Sequence, residues 1–98
     1  MSASVELHEE ALAEADAAAK WYAERDLDVA DAFADELERA YATIADAPQR
    51  WPVELGIARR YILGQFPFKV VYVIHAGRCV VLAVAHKRRS PGYWRHRE

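Results

Sequence analysis

The stretch Phe68–Ala85, which reads FKVVYVIHAGRCVVLAVA, determines the fold of the chain. Phe68 to Ile74 is rich in β-branched and aromatic residues, which favour a pleated strand. The segment His75-Ala76-Gly77-Arg78 follows and carries the Gly of a hairpin turn. Cys79 to Ala85 is then a continuous apolar run, as expected of a central strand that is buried on both faces. The stretch therefore predicts two antiparallel strands in the middle of a sheet.

A third strand is predicted immediately upstream, from Ile57 to Leu63, where side chains alternate between two faces. Gly64-Gln65-Phe66-Pro67 turns this strand into Phe68, so the three strands form an antiparallel meander. Pro48 to Pro52 breaks the preceding pattern and begins a crossing loop. One face of the third strand carries Ala58, Arg60 and Ile62, and the other carries Ile57, Arg59, Tyr61 and Leu63.

Apolar residues at helical spacing predict two helices before the loop, one from Glu9 to Arg25 and one from Val29 to Ala47. The short connection Asp26-Leu27-Asp28, with Asp28 as N-cap, makes them an αα-hairpin. A brief strand, Ser4 to Leu7, precedes them. The predicted apolar stripes are Leu12, Ala15, Ala19 and Tyr22 on the first helix, and Val29, Phe33, Leu37, Ala40 and Ile44 on the second.

The predicted fold class is therefore α+β, in the order β-α-α-β-β-β, with an antiparallel sheet and the αα-hairpin packed on one face. The 98 residues are enough for one domain, residues 1–98, with a modest core. No apolar run is long enough to span a bilayer, and no signal peptide is visible. We therefore expect a cytoplasmic protein that does not associate with membranes.

Neither a metal nor another cofactor is expected. The single Cys79 has no Cys partner for a disulfide or a metal, and the four His are scattered. Cys79 is predicted to be a small core residue, and Trp21 and Trp51 are predicted to be packing residues.

The net charge of −2 conceals an asymmetry between the two halves. Residues 1–50 contain thirteen acidic and four basic side chains, whereas residues 51–98 contain nine basic and two acidic ones. One interpretation is that the basic end of the molecule binds something anionic. The other is that the two halves neutralise each other across a helix–sheet interface.

Basic and aromatic side chains are interleaved toward the C-terminus, a composition typical of nucleic-acid binding. Cations pair with phosphates, and rings stack on bases. The candidate RNA-binding residues are Arg59, Arg60, Lys87, Arg89 and Trp94, and the candidate catalytic residues are Lys69, His86, Arg88 and Tyr93.

Cleavage of RNA by its own 2′-hydroxyl needs a proton acceptor, a proton donor and cations around the phosphate, and it needs no metal if Arg and Lys supply the charge. Lys69 lies in an apolar strand, so its charge must face out of the core. His86 is a candidate acid or base, or simply a polar strand end. Tyr93 and Trp94 either contact RNA or pack the tail back onto the sheet.

These segments together resemble the RelE/ParE superfamily of type II toxins, and the likeness covers nearly the whole chain. It rests on Arg59-Arg60-Tyr61-Ile62-Leu63, Phe66-Pro67-Phe68-Lys69-Val70-Val71-Tyr72, Val81 to Arg89, and Pro91-Gly92-Tyr93-Trp94, with Trp21-Tyr22 and Phe33…Glu36-Leu37 in the helical half. The resemblance implies a toxin that arrests growth and is neutralised by a cognate antitoxin. We expect the antitoxin to dock as an amphipathic helix or an extended strand.

The two branches of the superfamily imply different activities. RelE-like toxins are metal-independent endoribonucleases that cleave mRNA on the ribosome, and their basic residues fall on Lys69 and Arg88, with a tyrosine near Tyr93 or Trp94. ParE-like toxins inhibit DNA gyrase and are not enzymes. We expect mRNA cleavage, with Lys69 or His86 as the base; gyrase inhibition, or an inactive binding module, is the alternative. Residues 51–58 lack the lysines of RelE-like nucleases, as the ParE-like branch would predict.

Overall fold

The computed structural model describes residues 5–98, so Ser4 of the predicted first strand lies outside the described residues. The α+β fold with a helical hairpin is confirmed, and the described chain adds one short strand to the expected order. The elements are β1 (Glu6–Leu7), α1 (Glu9–Ala23), α2 (Leu27–Asp46), β2 (Val53–Leu55), β3 (Ala58–Ile62), β4 (Phe68–His75), β5 (Arg78–His86) and a 3₁₀ helix (Arg95–Arg97).

The five strands form one sheet in the order β1-β5-β4-β3-β2. Strands β2 to β5 are an antiparallel meander, as predicted for the last three. The first strand corrects the prediction of a wholly antiparallel sheet, because β1 pairs in parallel with β5, with Leu7 opposite Val81. The sheet is therefore mixed, and its central strand is β4, between β5 and β3.

The buried residues of α1 are all alanines, Ala11, Ala15 and Ala18, so no large side chain of this helix is fully enclosed in the core. Leu12, predicted to lie on the buried stripe, is instead 51% exposed. In α2 the predicted stripe is largely confirmed, but Ala30 replaces Val29 as its first buried residue. The α2 N-cap is Asp26 rather than Asp28, because the Asp26 carboxylate accepts a hydrogen bond from the Asp28 amide.

The helical hairpin and the sheet enclose the larger core. Its sheet side comes from alternate residues of β4 and β5, and Tyr72 donates its hydroxyl to the carbonyl of Pro48, which follows α2. The largest fully buried side chains of this core are Phe33, Ile44, Val70, Tyr72, Val81 and Val84.

A β-bulge changes which face β5 presents halfway along its length. Val71 pairs with Ala83 whereas Tyr72 pairs with Val81, so Leu82 is an extra residue in the ladder. Leu82 and Ala83 consequently both lie on the face opposite to the helices, although they are neighbours in sequence. β5 is apolar throughout because both of its faces are buried, with Val81 and Val84 in the core beneath the helices and Leu82 and Ala83 on the opposite face.

The C-terminal tail folds back over that opposite face and creates a second, smaller core. Trp94 lies at its centre, fully buried against Ala58, Val71, Leu82 and Ala83. Trp94, a predicted RNA-binding residue, is thus buried in the folded chain and presents no ring face to solvent. Of the two sequence-based interpretations of this residue, packing of the tail onto the sheet is the one that the structure supports.

Replacement of Trp94 by Ala is expected to lower the free energy of unfolding by about 3–5 kcal/mol, because it removes a buried indole and leaves a cavity. Trp21→Ala is the matched control, since the Trp21 side chain is 51% exposed and its loss should cost much less. Urea unfolding of the two variants measures the difference. Equal costs would contradict the docking of the tail.

Candidate functional site

A cleft of about 540 Å³ opens where α1, the end of β5 and the tail meet. Its walls are mainly aromatic and aliphatic, and its polar groups come from a few side chains at the rim and one on α1. We call it the β5 cleft; Glu14, Trp21, Tyr22, Phe68, His86, Arg89 and Tyr93 are among its lining residues. The cleft therefore brings together three of the predicted site residues, His86, Arg89 and Tyr93.

Lys87, Arg88 and Arg89 form an exposed basic tip beside the β5 cleft. The backbone of the tip is well anchored, because the Lys87 amide donates to the Pro67 carbonyl at 2.9 Å and the Arg89 amide donates to the His86 carbonyl at 2.9 Å. Within residues 5–98, no carboxylate lies within ion-pair distance of these three side chains. Their charge is available to an external partner.

His86 ends β5 and is exposed at the rim of the β5 cleft. Its Nδ1 accepts a hydrogen bond from the Arg88 amide at 3.2 Å. In the neutral ring, this bond assigns the remaining proton to Nε2. The structure therefore leaves Nε2 of His86 as the atom that can exchange a proton with a bound molecule.

Tyr93 is held in place by the helical half of the molecule. Its hydroxyl donates to Glu14 Oε2 at 2.9 Å, and the Arg89 guanidinium lies over its ring, 3.9 Å from the centroid. Burial, the hydrogen bond to Glu14 and the negative charge of Glu14 together raise the pKa of Tyr93 to about 12. This phenol is a poor proton donor at neutral pH.

Lys69 corrects the prediction that its charge faces out of the core. The side chain does point away from the helices, as the strand alternation predicted, but the tail and β2 cover it, and only 4% of it is exposed. Its Nζ donates to the Glu54 carboxylate and, at 3.0 Å, to the Arg89 carbonyl. A buried ammonium with these partners is not accessible to a substrate.

Arg59 and Arg60 lie apart from the basic tip, on β3 and on opposite faces of the sheet. Arg59 donates to the Trp51 carbonyl at 2.7 Å, and Arg60 donates to the Val53 carbonyl at 2.9 Å. Both guanidinium groups therefore link β3 to β2 and to the residues just before it. The nine predicted site residues do not form a single surface.

Both interpretations of the charge asymmetry apply, to different residues. Arg97 bonds to Glu14 at 2.9 Å and Arg78 to Glu6 at 3.0 Å, so these cations of the second half are neutralised by acids of the first. The basic tip has no such partner among the described residues. Lys87, Arg88 and Arg89 are thus three consecutive cations beside the β5 cleft without an acidic partner among residues 5–98.

A second recess, of about 510 Å³, lies between α1, α2 and β1 and is lined by residues of α1 that do not line the β5 cleft. Its lining is mainly apolar and includes Leu7, Leu12 and Leu37. The acidic residues that line it are Asp16 and Glu38. We call it the helical groove. Its dimensions and composition suit an apolar side chain or short segment of a partner.

Comparison with protein families gives a match between residues 5–91 and the ParE toxin of type II toxin–antitoxin systems, parDE. The chain belongs to this family. The resemblance to RelE/ParE toxins is thus confirmed, and the protein is the toxin of a type II toxin–antitoxin pair whose partner is a cognate antitoxin. No curated protein matches the chain in a sequence search.

Neither a metal centre nor a membrane helix is found in the part of the toxin that the structure describes. Across residues 5–98, no group of three or more His, Cys, Asp or Glu side chains is placed to hold an ion. None of the helices in this range combines the length and apolar character needed to cross a membrane.

Three residues that shape the site were not among the predicted site residues. Glu14 and Glu54 are acids whose partners are distant in the chain, so no local pattern marks them. Trp21 was predicted to be a packing residue, but its ring is half exposed at the β5 cleft and stacks on Arg25. The only signal for Trp21 was its position next to Tyr22 on a helix rich in alanine.

The Glu14–Tyr93 contact predicts a specific response to alkaline pH. Because the folded pKa is about 12 and the ordinary value is 10.0, the unfolded state loses the Tyr93 proton first. The contribution of Tyr93 to stability is therefore complete below pH 10 and is lost as the pH rises to 12. The free energy of unfolding of Tyr93→Phe should decline less steeply over this interval than that of the parent toxin.

Glu14→Gln tests the assigned cause. Without the charge of Glu14, the pKa of Tyr93 should fall toward 10 but stay above it, because the burial remains. Tyrosinate absorbance, compared with that of Tyr93→Phe, isolates this residue. An unchanged titration in Glu14→Gln would contradict the contact.

Proposed function

We propose that the toxin arrests growth by binding and inhibiting DNA gyrase, without itself catalysing a reaction. The observation that carries the proposal is the state of Lys69. The nuclease branch of the superfamily would use this strand-borne cation in catalysis, but here the Glu54 carboxylate and the Arg89 carbonyl hold it under the tail. The match to the ParE family supports the same choice.

The other predicted catalytic groups also support binding rather than cleavage. The Tyr93 hydroxyl is committed to Glu14, and its raised pKa disfavours proton transfer at neutral pH. One oxygen of Glu14 also accepts the Val84 amide, so the contact is part of the fold. Of the four residues expected to be catalytic, only His86 and Arg88 are exposed.

The basic tip is the surface that we assign to gyrase or to the DNA that gyrase holds. Exposed guanidinium and ammonium groups form charge-assisted hydrogen bonds with phosphates and carboxylates. The chain carries a net charge of −2, so this local concentration of positive charge sets the orientation of approach to an anionic target. The adjacent β5 cleft provides apolar area for the same contact.

Cleavage of mRNA is the second candidate, and one observation favours it. His86 is exposed at the rim of an aromatic cleft, and its ring accepts a hydrogen bond from the amide of Arg88, whose side chain is also exposed. A proton-exchanging nitrogen and a nearby cation are groups that RNA cleavage would use. If the toxin is a nuclease, His86 is its acid–base residue. Lys69, buried beneath the tail, would then have no part in the chemical step.

The antitoxin is the second partner, and where it docks stays a prediction. The helical groove is the surface on which an amphipathic segment would bury apolar side chains. A structure of the complex would check this assignment. A cytoplasmic location likewise stays a prediction.

Inhibition of gyrase by the purified toxin tests the proposal directly. We expect the toxin to block supercoiling of relaxed plasmid, and Lys87→Ala/Arg88→Ala to raise the concentration needed for half inhibition by about tenfold or more. The control is Lys20→Ala/Arg39→Ala, which removes the same charge from exposed positions of the helical hairpin. It should inhibit as well as the parent toxin.

Mapping of mRNA 5′ ends within minutes of induction in bacteria decides between the two candidates. Growth arrest with intact mRNA is the expected result. New ends within reading frames, lost in His86→Gln, together with a failure to inhibit gyrase in vitro, would overturn the proposal in favour of the nuclease.

A further inference from the structure

Glu54 and Lys69 form a buried ion pair beneath the C-terminal tail. Their side chains are 5% and 4% exposed, and the Lys69 ammonium donates directly to the Glu54 carboxylate. The second oxygen of Glu54 lies 3.7 Å from a guanidinium nitrogen of Arg60. Removing two charges from water is costly, and apolar residues of similar size often stabilise a fold as well or better. Stability alone therefore does not account for the pair.

The pair extends to the basic tip through one further hydrogen bond. Lys69 Nζ also donates to the Arg89 carbonyl at 3.0 Å. The amides of the tip bond to Pro67 and His86 at the strand ends, so Lys69 supplies the contact from the opposite side, beneath the tail. The backbone that carries Arg88 and Arg89 is thus held from both sides.

Strand β2 brings Glu54 to this position and contacts the tail itself. Gly92 has a φ of +101°, and a Cβ at that position would lie 3.2 Å from Leu55 Cδ2. The tail therefore packs directly on β2, immediately beside the ion pair. This three-residue edge strand supplies Glu54 and also packs against the tail, just after the basic tip.

We propose that Glu54 and Lys69 are positioning residues, which fix the Arg89 carbonyl and thereby the direction in which the basic tip presents its side chains. The ammonium is a directional donor and Glu54 holds it in place, a combination that an apolar pair of the same size cannot reproduce. The inference deepens the proposed function. Its activity measurement rests on that function, whereas its exchange measurement does not. It gives the strand-borne lysine a role in target binding that needs no contact with the target.

The test replaces both partners at once, so that no buried charge is left without a partner. Glu54→Gln/Lys69→Met keeps the side-chain sizes and removes the charge and the donor to Arg89. The matched control is Val73→Ala, which opens a small cavity in the same face of the sheet without touching the tip. If the two variants differ in melting temperature, urea is added to the more stable one until their free energies of unfolding are equal.

Amide hydrogen exchange separates a local role from a global one. In the double variant, the amides of Arg88 and Arg89 should exchange about tenfold faster relative to those of β4, the order expected for loss of a hydrogen bond from a charged donor. In Val73→Ala this ratio should be unchanged. An unchanged ratio in both variants, or an equal change in both, would overturn the inference whatever the toxin does to gyrase.

Gyrase inhibition provides the second measurement. If the parent toxin inhibits gyrase, the double variant should lose about tenfold in potency while Val73→Ala loses little. Equal potency of the two variants would overturn the positioning role even if exchange at the tip increased. A parent toxin that fails to inhibit gyrase refutes the proposed function instead, and the exchange ratio alone then decides the inference.

Discussion

The carboxylate of Glu14 joins three parts of the toxin that are far apart in sequence. It accepts the Val84 amide of β5 at 3.0 Å, the Tyr93 hydroxyl at 2.9 Å and the Arg97 guanidinium at 2.9 Å. Charge-assisted hydrogen bonds of this kind are stronger and more directional than neutral ones. One side chain of α1 thereby fixes the tail against the sheet, and the second core around Trp94 depends on that attachment.

Docking of the tail determines which cations are available for function. It covers Lys69 and brings the Arg89 carbonyl to the Lys69 ammonium, while Lys87 and Arg88 stay in solvent. The toxin therefore has a sequestered lysine and an exposed basic tip in adjacent segments. Residues that suggest catalysis in the sequence thus have two different roles in the folded molecule. Lys69 holds the backbone of the basic tip, and Arg88 is part of the exposed surface of that tip.

Elements with a strong local signal were predictable from the sequence. The helices followed from the spacing of Phe33, Leu37 and Ile44, and the central hairpin from its apolar strands. Strand β2 was missed because its three residues, between Pro52 and Gly56, are too few to show a period. The Leu82 bulge was missed because a uniformly apolar run does not reveal where its alternation breaks.

The candidate site was only partly predictable, because its key contacts are not local. Strand alternation gave the correct face for Lys69 but not its burial, since burial comes from a tail attached through Glu14 and Tyr93, 79 residues apart. Glu54 had no visible role until β2 placed it opposite Lys69. The exposed basic tip was predictable, because consecutive cations after a strand end have no neighbouring acids to neutralise them.

The reactivity of the lysine side chains tests whether Lys69 is held beneath the tail, out of reach of a substrate. The chain has three lysines, and Lys20 and Lys87 are exposed, so they serve as internal references. Brief acetylation of the native toxin, followed by peptide mass spectrometry, should modify Lys20 and Lys87 and leave Lys69 unmodified until the protein is denatured. Acetylation of native Lys69 at the rate of the other two would show that the tail does not cover it.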